Sequence, residues 1–166
     1  MSFFGPPLIA VELSRTQKML IQQNNKLNNF LIFYGYELSI LFVANLLWEF
    51  LQMPLYFGHT YSLPYLLMGV NAAGGDVLLS LIVLALASLF LKNENELSVA
   101  GYTFLALGGL CVGIIFEQYS LMAGHWSYAA TMPLIPILHT GVTPTLQLGL
   151  LIPFSFWLTH HITKNK

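Results

Sequence analysis

Four apolar runs constrain this chain more than any motif does. They lie near residues 30–54, 64–91, 99–123 and 140–163. Each is long enough to cross about 30 Å of hydrocarbon, which takes about 20 helical residues. Only 8% of the residues are charged, against about 25% in a soluble domain. The expected fold class is all-α: a polytopic membrane protein whose four-helix transmembrane bundle forms a single domain over residues 30–163. Residues 1–29 are expected to form a short polar N-terminal arm at the cytoplasmic interface, where Ile9, Leu13 and Leu20 share one helical face.

The basic residues set the expected orientation. Arg15, Lys18 and Lys26 precede the first run, Lys92 lies between the second and third, and Lys164 and Lys166 follow the fourth. With four spans all six fall on one side, which the positive-inside rule assigns to the cytoplasm together with both termini. The first residues lack the basic stretch and apolar core of a cleavable signal, so the first span is expected to act as an uncleaved anchor. Six basic residues are too few for a nucleic-acid footprint, and no nucleic-acid partner is expected. Cys111 is the sole cysteine, so no intrachain disulfide can form.

The first span carries an anomaly. Asn45, Glu49, Gln52 and Tyr56 recur at i, i+4, i+7 and i+11, on one helical face of a segment otherwise suited to lipid. Asp76, Glu117 and Gln147 sit in the other three spans at a similar expected depth, toward the outer side. Glycines prepare the approach: Gly109 and Gly113 lead up to Glu117 at i+4 steps, and Gly74 and Gly75 adjoin Asp76. Pro144 and Pro153 each free a backbone carbonyl in the fourth span. Interhelical hydrogen bonds in membranes stabilise by about 0.6 kcal/mol on average. An acid near the bilayer centre costs about 2.5–3.5 kcal/mol on insertion scales. Bundle stability alone is therefore a poor reason to keep three acids.

Glu49, Asp76 and Glu117 are accordingly the candidate catalytic residues, since a protonated carboxyl beside an ionised one supplies the pair that acid–base chemistry needs. Trp48, Gln52, Tyr56, Trp126, Tyr128 and Gln147 are the candidate ligand-binding residues. The segment around Trp126 and Tyr128 is too apolar for a solvated loop. It is expected to fold over the bundle as a lid, the alternative being an interfacial aromatic belt. No cofactor is expected. An alternative metal site would use His59, His125 and His139, although their spacing matches no tight ligand motif. Nucleophile elbows and nucleotide-binding loops are absent from the sequence.

Trp48-Glu49-x-x-Gln52-x-Pro54-Leu55-Tyr56, then Gly75-Asp76, Glu117, Trp126-x-Tyr128, Met132-Pro133 and Pro144-x-x-Gln147, resembles an uncharacterised family of small four-span bacterial inner-membrane proteins. The resemblance covers about residues 45–150. It implies a bacterial inner-membrane location and a polar set that acts as one unit, and it supplies no reaction. The leading expectation is an outer-leaflet cavity that binds or acid–base converts a lipid-like or isoprenoid small molecule. The alternatives are an accessory or scaffold subunit holding a membrane-protein partner, and a proton-coupled carrier that would also use Glu37.

Overall fold

The computed structural model describes residues 8–90 and 98–164, with side chains over 17–89 and 98–164. Helix α1 runs Leu8–Gln52, α2 Leu63–Phe90, α3 Val99–Met122 and α4 Val142–Lys164, with a short 3₁₀ turn at Met53–Leu55 after α1. Four stretches within these elements, Gln17–Leu55, Leu63–Leu89, Val99–Met122 and Val142–Lys164, are each long and apolar enough to cross a membrane. The chain is an all-α, multi-pass membrane protein.

The segment expected as a separate arm is helical from Leu8, and the same helix continues into the first span. Residues 8–29 contain no proline and no glycine, so nothing local breaks the helix there. The chain divides into two compact units between Tyr36 and Glu37. The first unit holds the N-terminal part of α1. The second unit, from Glu37 onward, holds the rest of α1 and helices α2, α3 and α4. The side chains of Ile9, Leu13 and Arg15, and the residues Lys92 and Lys166, lie outside the described set.

Polarity in the second unit is inverted relative to a soluble bundle. Glu37, Asn45, Gln52, Glu117 and Gln147 are buried, whereas Leu78, Ile82, Ile115, Leu150 and Trp157 are exposed. A lipid solvent produces this arrangement, because apolar side chains can face it and polar ones must find partners inside.

Glycines set the closest packing. A Cβ on Gly109 would stand 2.5 Å from the Leu148 carbonyl oxygen, and one on Gly149 would stand 2.6 Å from Leu110 Cγ. A Cβ on Gly113 would meet the Thr145 carbonyl oxygen at 3.3 Å. The small residues of α3 and α4 thus bring the two backbones together, as glycine faces do in membranes. Elsewhere Phe50 of α1 lies against Gly69 of α2, and Val83 of α2 lies against Gly108 of α3.

The segments 55–62 and 123–141 share one end of the bundle, the loop end. Helix α3 stops there at Ala123, and Gly124 takes the left-handed conformation, φ +72°, that turns the chain. The two segments then pair: Phe57 N–H donates to Ser127 O at 2.8 Å and Ala129 N–H to Leu55 O at 2.9 Å. Residues 133–142 fold back on themselves through Ile135 N–H to Thr140 O and Val142 N–H to Pro133 O, both 2.8 Å. The carbonyl that Pro144 leaves without a helical donor, that of Thr140, is the one Ile135 uses. Pro144 sits in the first turn of α4, where its missing N–H costs nothing.

Candidate functional site

Asn45, Glu49 and Gln52 share a face of α1, and that face meets Gln147 of α4. Asn45 spends its amide N–H on its own helix, donating to Leu41 O at 2.9 Å, which leaves its oxygen to accept from Gln147 Nε2 at 3.0 Å. The same Gln147 nitrogen reaches Glu49 Oε1 at 3.0 Å and Asp76 Oδ2 at 2.7 Å. Gln52 Nε2 donates to Glu49 Oε1 at 2.9 Å and to Gln147 Oε1 at 3.1 Å. Every neighbour of these two amide nitrogens is an acceptor, so the orientation of both amides is fixed by the network. Gln147 is 3% exposed, and it ties α1 and α2 to α4 at one point.

This network is short of donors. Gln147 has two N–H groups facing three acceptors. The Glu49 and Asp76 carboxyls also face each other within hydrogen-bonding range. A hydrogen bond between two carboxyls requires a proton on one of them, and ionisation of such a pair belongs to the pair rather than to either residue. The arrangement therefore places a proton donor and a proton acceptor side by side.

Glu117 ends the glycine face of α3 and is 4% exposed. It does not join the amide network. Its Oε1 accepts from Trp126 Nε1 at 3.1 Å and from the Tyr128 hydroxyl at 2.5 Å, and that hydroxyl accepts in turn from Gly141 N–H at 2.7 Å. The 123–141 segment is thus fastened onto α3 through one carboxyl. Burial, with the Glu117 carboxyl beside it, pushes the Tyr128 phenol well above its ordinary value. Burial and the surrounding carboxyls do the same to Tyr56. Both phenols stay protonated, and that of Tyr128 donates to Glu117. Burial lowers the His59 imidazole, which favours its neutral form.

A cavity of about 170 Å³ lies between these groups. Glu49, Gln52, Asp76, Glu117 and Gln147 supply its polar wall. Met53, Tyr56, Phe116, Trp126 and Leu148 supply an apolar one. Tyr56 connects the aromatic groups, with ring centroids 6.1 Å from Trp126 and 5.5 Å from His59. Two lining residues on α2, Met68 and Asn71, are exposed, so the cavity reaches the surface beside that helix. At 1.5 Å per residue these lie about 8 and 12 Å along α2 from Leu63. Both residues belong to a helix long and apolar enough to cross a membrane.

The structure brings together all three candidate acids with Gln52, Tyr56, Trp126 and Gln147. Tyr56 arrives by a different route from the one expected: α1 stops at Gln52, and Tyr56 is extended, with φ −99° and ψ 140°. Trp48 and Tyr128 do not line the cavity. Trp48 Nε1 is buried without a hydrogen-bond partner among the described residues, and Tyr128 acts through Glu117. His59 lines the cavity, but His125 and His139 do not, and among the described residues no three His, Cys, Asp or Glu side chains are grouped to hold a metal ion. The alternative histidine site is therefore not formed.

Asn45 was legible as part of the polar face, yet its role as an acceptor for Gln147 needed the α4 contact. Tyr65, Phe116 and Asn71 carried no sequence signal that separates them from residues facing lipid. No family model matches the chain, and no curated protein or solved structure matches it.

Proposed function

We propose that this protein binds, and by acid–base chemistry converts, a lipid-like or isoprenoid small molecule whose polar end enters the loop-end cavity. One observation carries the reading: the Glu49–Asp76–Gln147 cluster forms one wall of a cavity that also has apolar and aromatic walls and that exposed residues of the apolar helix α2 help to line. A ligand entering there arrives from lipid. The volume limits what is enclosed, since a cavity of about 150 Å³ holds a benzene-sized molecule. The functional end of a lipid, or about one isoprene unit, fits inside while the remainder lies along α2. Glu49 and Asp76 are the proton-transfer pair in this proposal, and Glu117 holds Trp126 in the wall.

Gly109, Gly113 and Gly149 are already used between α3 and α4, so the scaffold alternative would have to use another face, such as that of Gly74 on α2. The carrier alternative needs a path to Glu37, whose Oε1 accepts from Ser155 Oγ at 2.7 Å. Between Glu37 and Asn45 the buried faces of α1 and α4 present Leu41, Leu148 and Ile152, which offer no side-chain proton acceptor. We further propose a bacterial inner-membrane location with both termini cytoplasmic, on the distribution of basic residues; reporter fusions at either terminus that are active only outside the cytoplasm would refute that orientation.

Mass spectrometry of small molecules released from the purified protein tests the ligand reading. Wild type is expected to carry a bound lipid or isoprenoid, and Asp76→Asn and Glu49→Gln are expected to lose it at unchanged expression. Protein with no bound small molecule and a stoichiometric membrane-protein partner would replace the proposal with the scaffold.

A further inference from the structure

We infer that the head of the molecule this cavity takes is a hydrophobic amine in its ammonium form. The inference rests on the cavity being a ligand site, as proposed above, and names the chemical class of that ligand.

The cavity has acceptors to spare and few donors. Both N–H groups of Gln147 go to Asn45, Glu49 and Asp76, and those of Gln52 go to Glu49 and Gln147. The Trp126 N–H and the Tyr128 hydroxyl are committed to Glu117. An anionic or carbonyl head would find these donors already engaged and would be left with neutral groups such as the Tyr56 phenol, which bring no counter-charge. The acceptor side is different. Gln52 is 4% exposed and lines the cavity, and its Oε1 has no hydrogen-bond partner among the described residues. Its nitrogen is fixed toward Glu49 and Gln147, so the oxygen cannot be exchanged for a donor by rotating the amide. A buried acceptor left unpaired costs about 1–3 kcal/mol, and a ligand N–H would satisfy it.

Charge selects in the same direction. Among the described residues lining the cavity there is no Lys or Arg, whereas Glu49, Asp76 and Glu117 are all present. A phosphate or carboxylate head would be desolvated beside carboxyls with no counter-charge, whereas an ammonium brings one. Tyr56, Phe116 and Trp126 add aromatic surface, which attracts a desolvated cation. A neutral alcohol satisfies one acceptor but brings an acceptor of its own into a site short of donors. A primary ammonium has three donors and no acceptor, which is the complement of the groups left over.

The test uses full-length protein in a neutral detergent and three probes with the same tail: radiolabelled dodecylamine, dodecanol and dodecyl phosphate, each at the same mole fraction of detergent. Equilibrium dialysis is expected to give saturable dodecylamine binding at least about tenfold tighter than that of the alcohol, with no saturable binding of the phosphate. Asp76→Asn is expected to weaken the amine by about tenfold or more and to leave the alcohol unchanged. Should that variant not fold, the ranking of the probes on wild type decides. Alcohol or phosphate binding as tightly as the amine overturns the ammonium assignment and leaves the cavity a ligand site. Absence of saturable binding by all three removes the cavity reading, and the ammonium assignment with it.

Discussion

The Gln147 amide donates to Asp76 Oδ2 at 2.7 Å, joining α4 to α2 through two side chains inside membrane-spanning lengths of helix. The same nitrogen serves Asn45 and Glu49. Replacing Gln147 by Leu keeps the volume roughly constant but leaves these acceptors without that donor. A loss of about 1–3 kcal/mol is expected, read as a lower thermal midpoint in detergent. In a double-mutant cycle with Asp76→Leu the two losses are expected to couple by about 0.5–3 kcal/mol, because the second substitution removes an acceptor the first had stranded. Strictly additive losses would contradict the shared network.

The α3–α4 contact makes an opposed pair of predictions about glycine. A methyl on Gly109 meets backbone at 2.5 Å, where nothing flexible can yield. Gly109→Ala is expected to destabilise by about 1–3 kcal/mol through forced separation of the helices. Gly74 lies inside α2, and nothing stands within 4 Å of the position its added methyl would take. Gly74→Ala is expected to be neutral or to stabilise by up to about 1 kcal/mol, through helix propensity alone. Thermal unfolding of both variants in one detergent checks the contrast, and equal effects would refute the packing argument.

Fastening of the 123–141 segment depends on the Tyr128 hydroxyl, which links Glu117 to Gly141 N–H. Tyr128→Phe keeps the ring and removes both bonds. Amide hydrogen exchange is expected to accelerate across 123–141 while the middle of α3 and of α4 stays protected. Trp126 keeps its own bond to Glu117, but the segment that carries it is loosened, so any ligand held in the cavity is expected to dissociate faster. Unchanged exchange in the segment would mean that its pairing with residues 55–57 suffices to hold it.

The four spans and the shared polar face were legible because both rest on local periodicity: apolar runs of spanning length, and Asn45, Glu49 and Gln52 at helical steps. Convergence of Glu49, Asp76 and Gln147 could be anticipated from depth alone, since spans of similar length place residues at comparable levels. Trp48 shows where that reasoning stops. It adjoins Glu49 in sequence, but neighbours on a helix point about 100° apart, and Trp48 is not among the residues that line the cavity. Tyr56 shows a second limit. Helical spacing placed it on the right face, but the chain leaves the helix after Gln52 and reaches the same wall in an extended conformation. His59 and Phe116 depend on how α2, α3 and the loop segments meet, which no local pattern encodes. The polar residues before 30 change the composition of the chain but do not end the helix, which runs on from Leu8 to Gln52.

Tyr56 and Tyr128 make the final prediction, on pH. Burial and adjacent carboxyls raise both phenols above their ordinary value of about 10. In the unfolded chain both ionise near that value, whereas in the folded protein they stay neutral. The stability they confer is complete below about pH 10 and falls as pH rises further, because only the unfolded state releases the protons. Tyrosinate absorbance provides the measurement. In the native protein, Tyr56→Phe and Tyr128→Phe are each expected to leave the absorbance reached at about pH 11 unchanged, since neither phenol contributes to it there. In chemically unfolded protein each substitution is expected to remove one tyrosine of the eight from the signal. A native-state loss of that size for either variant would show that the phenol is free to ionise, and that its aromatic wall does not exclude water.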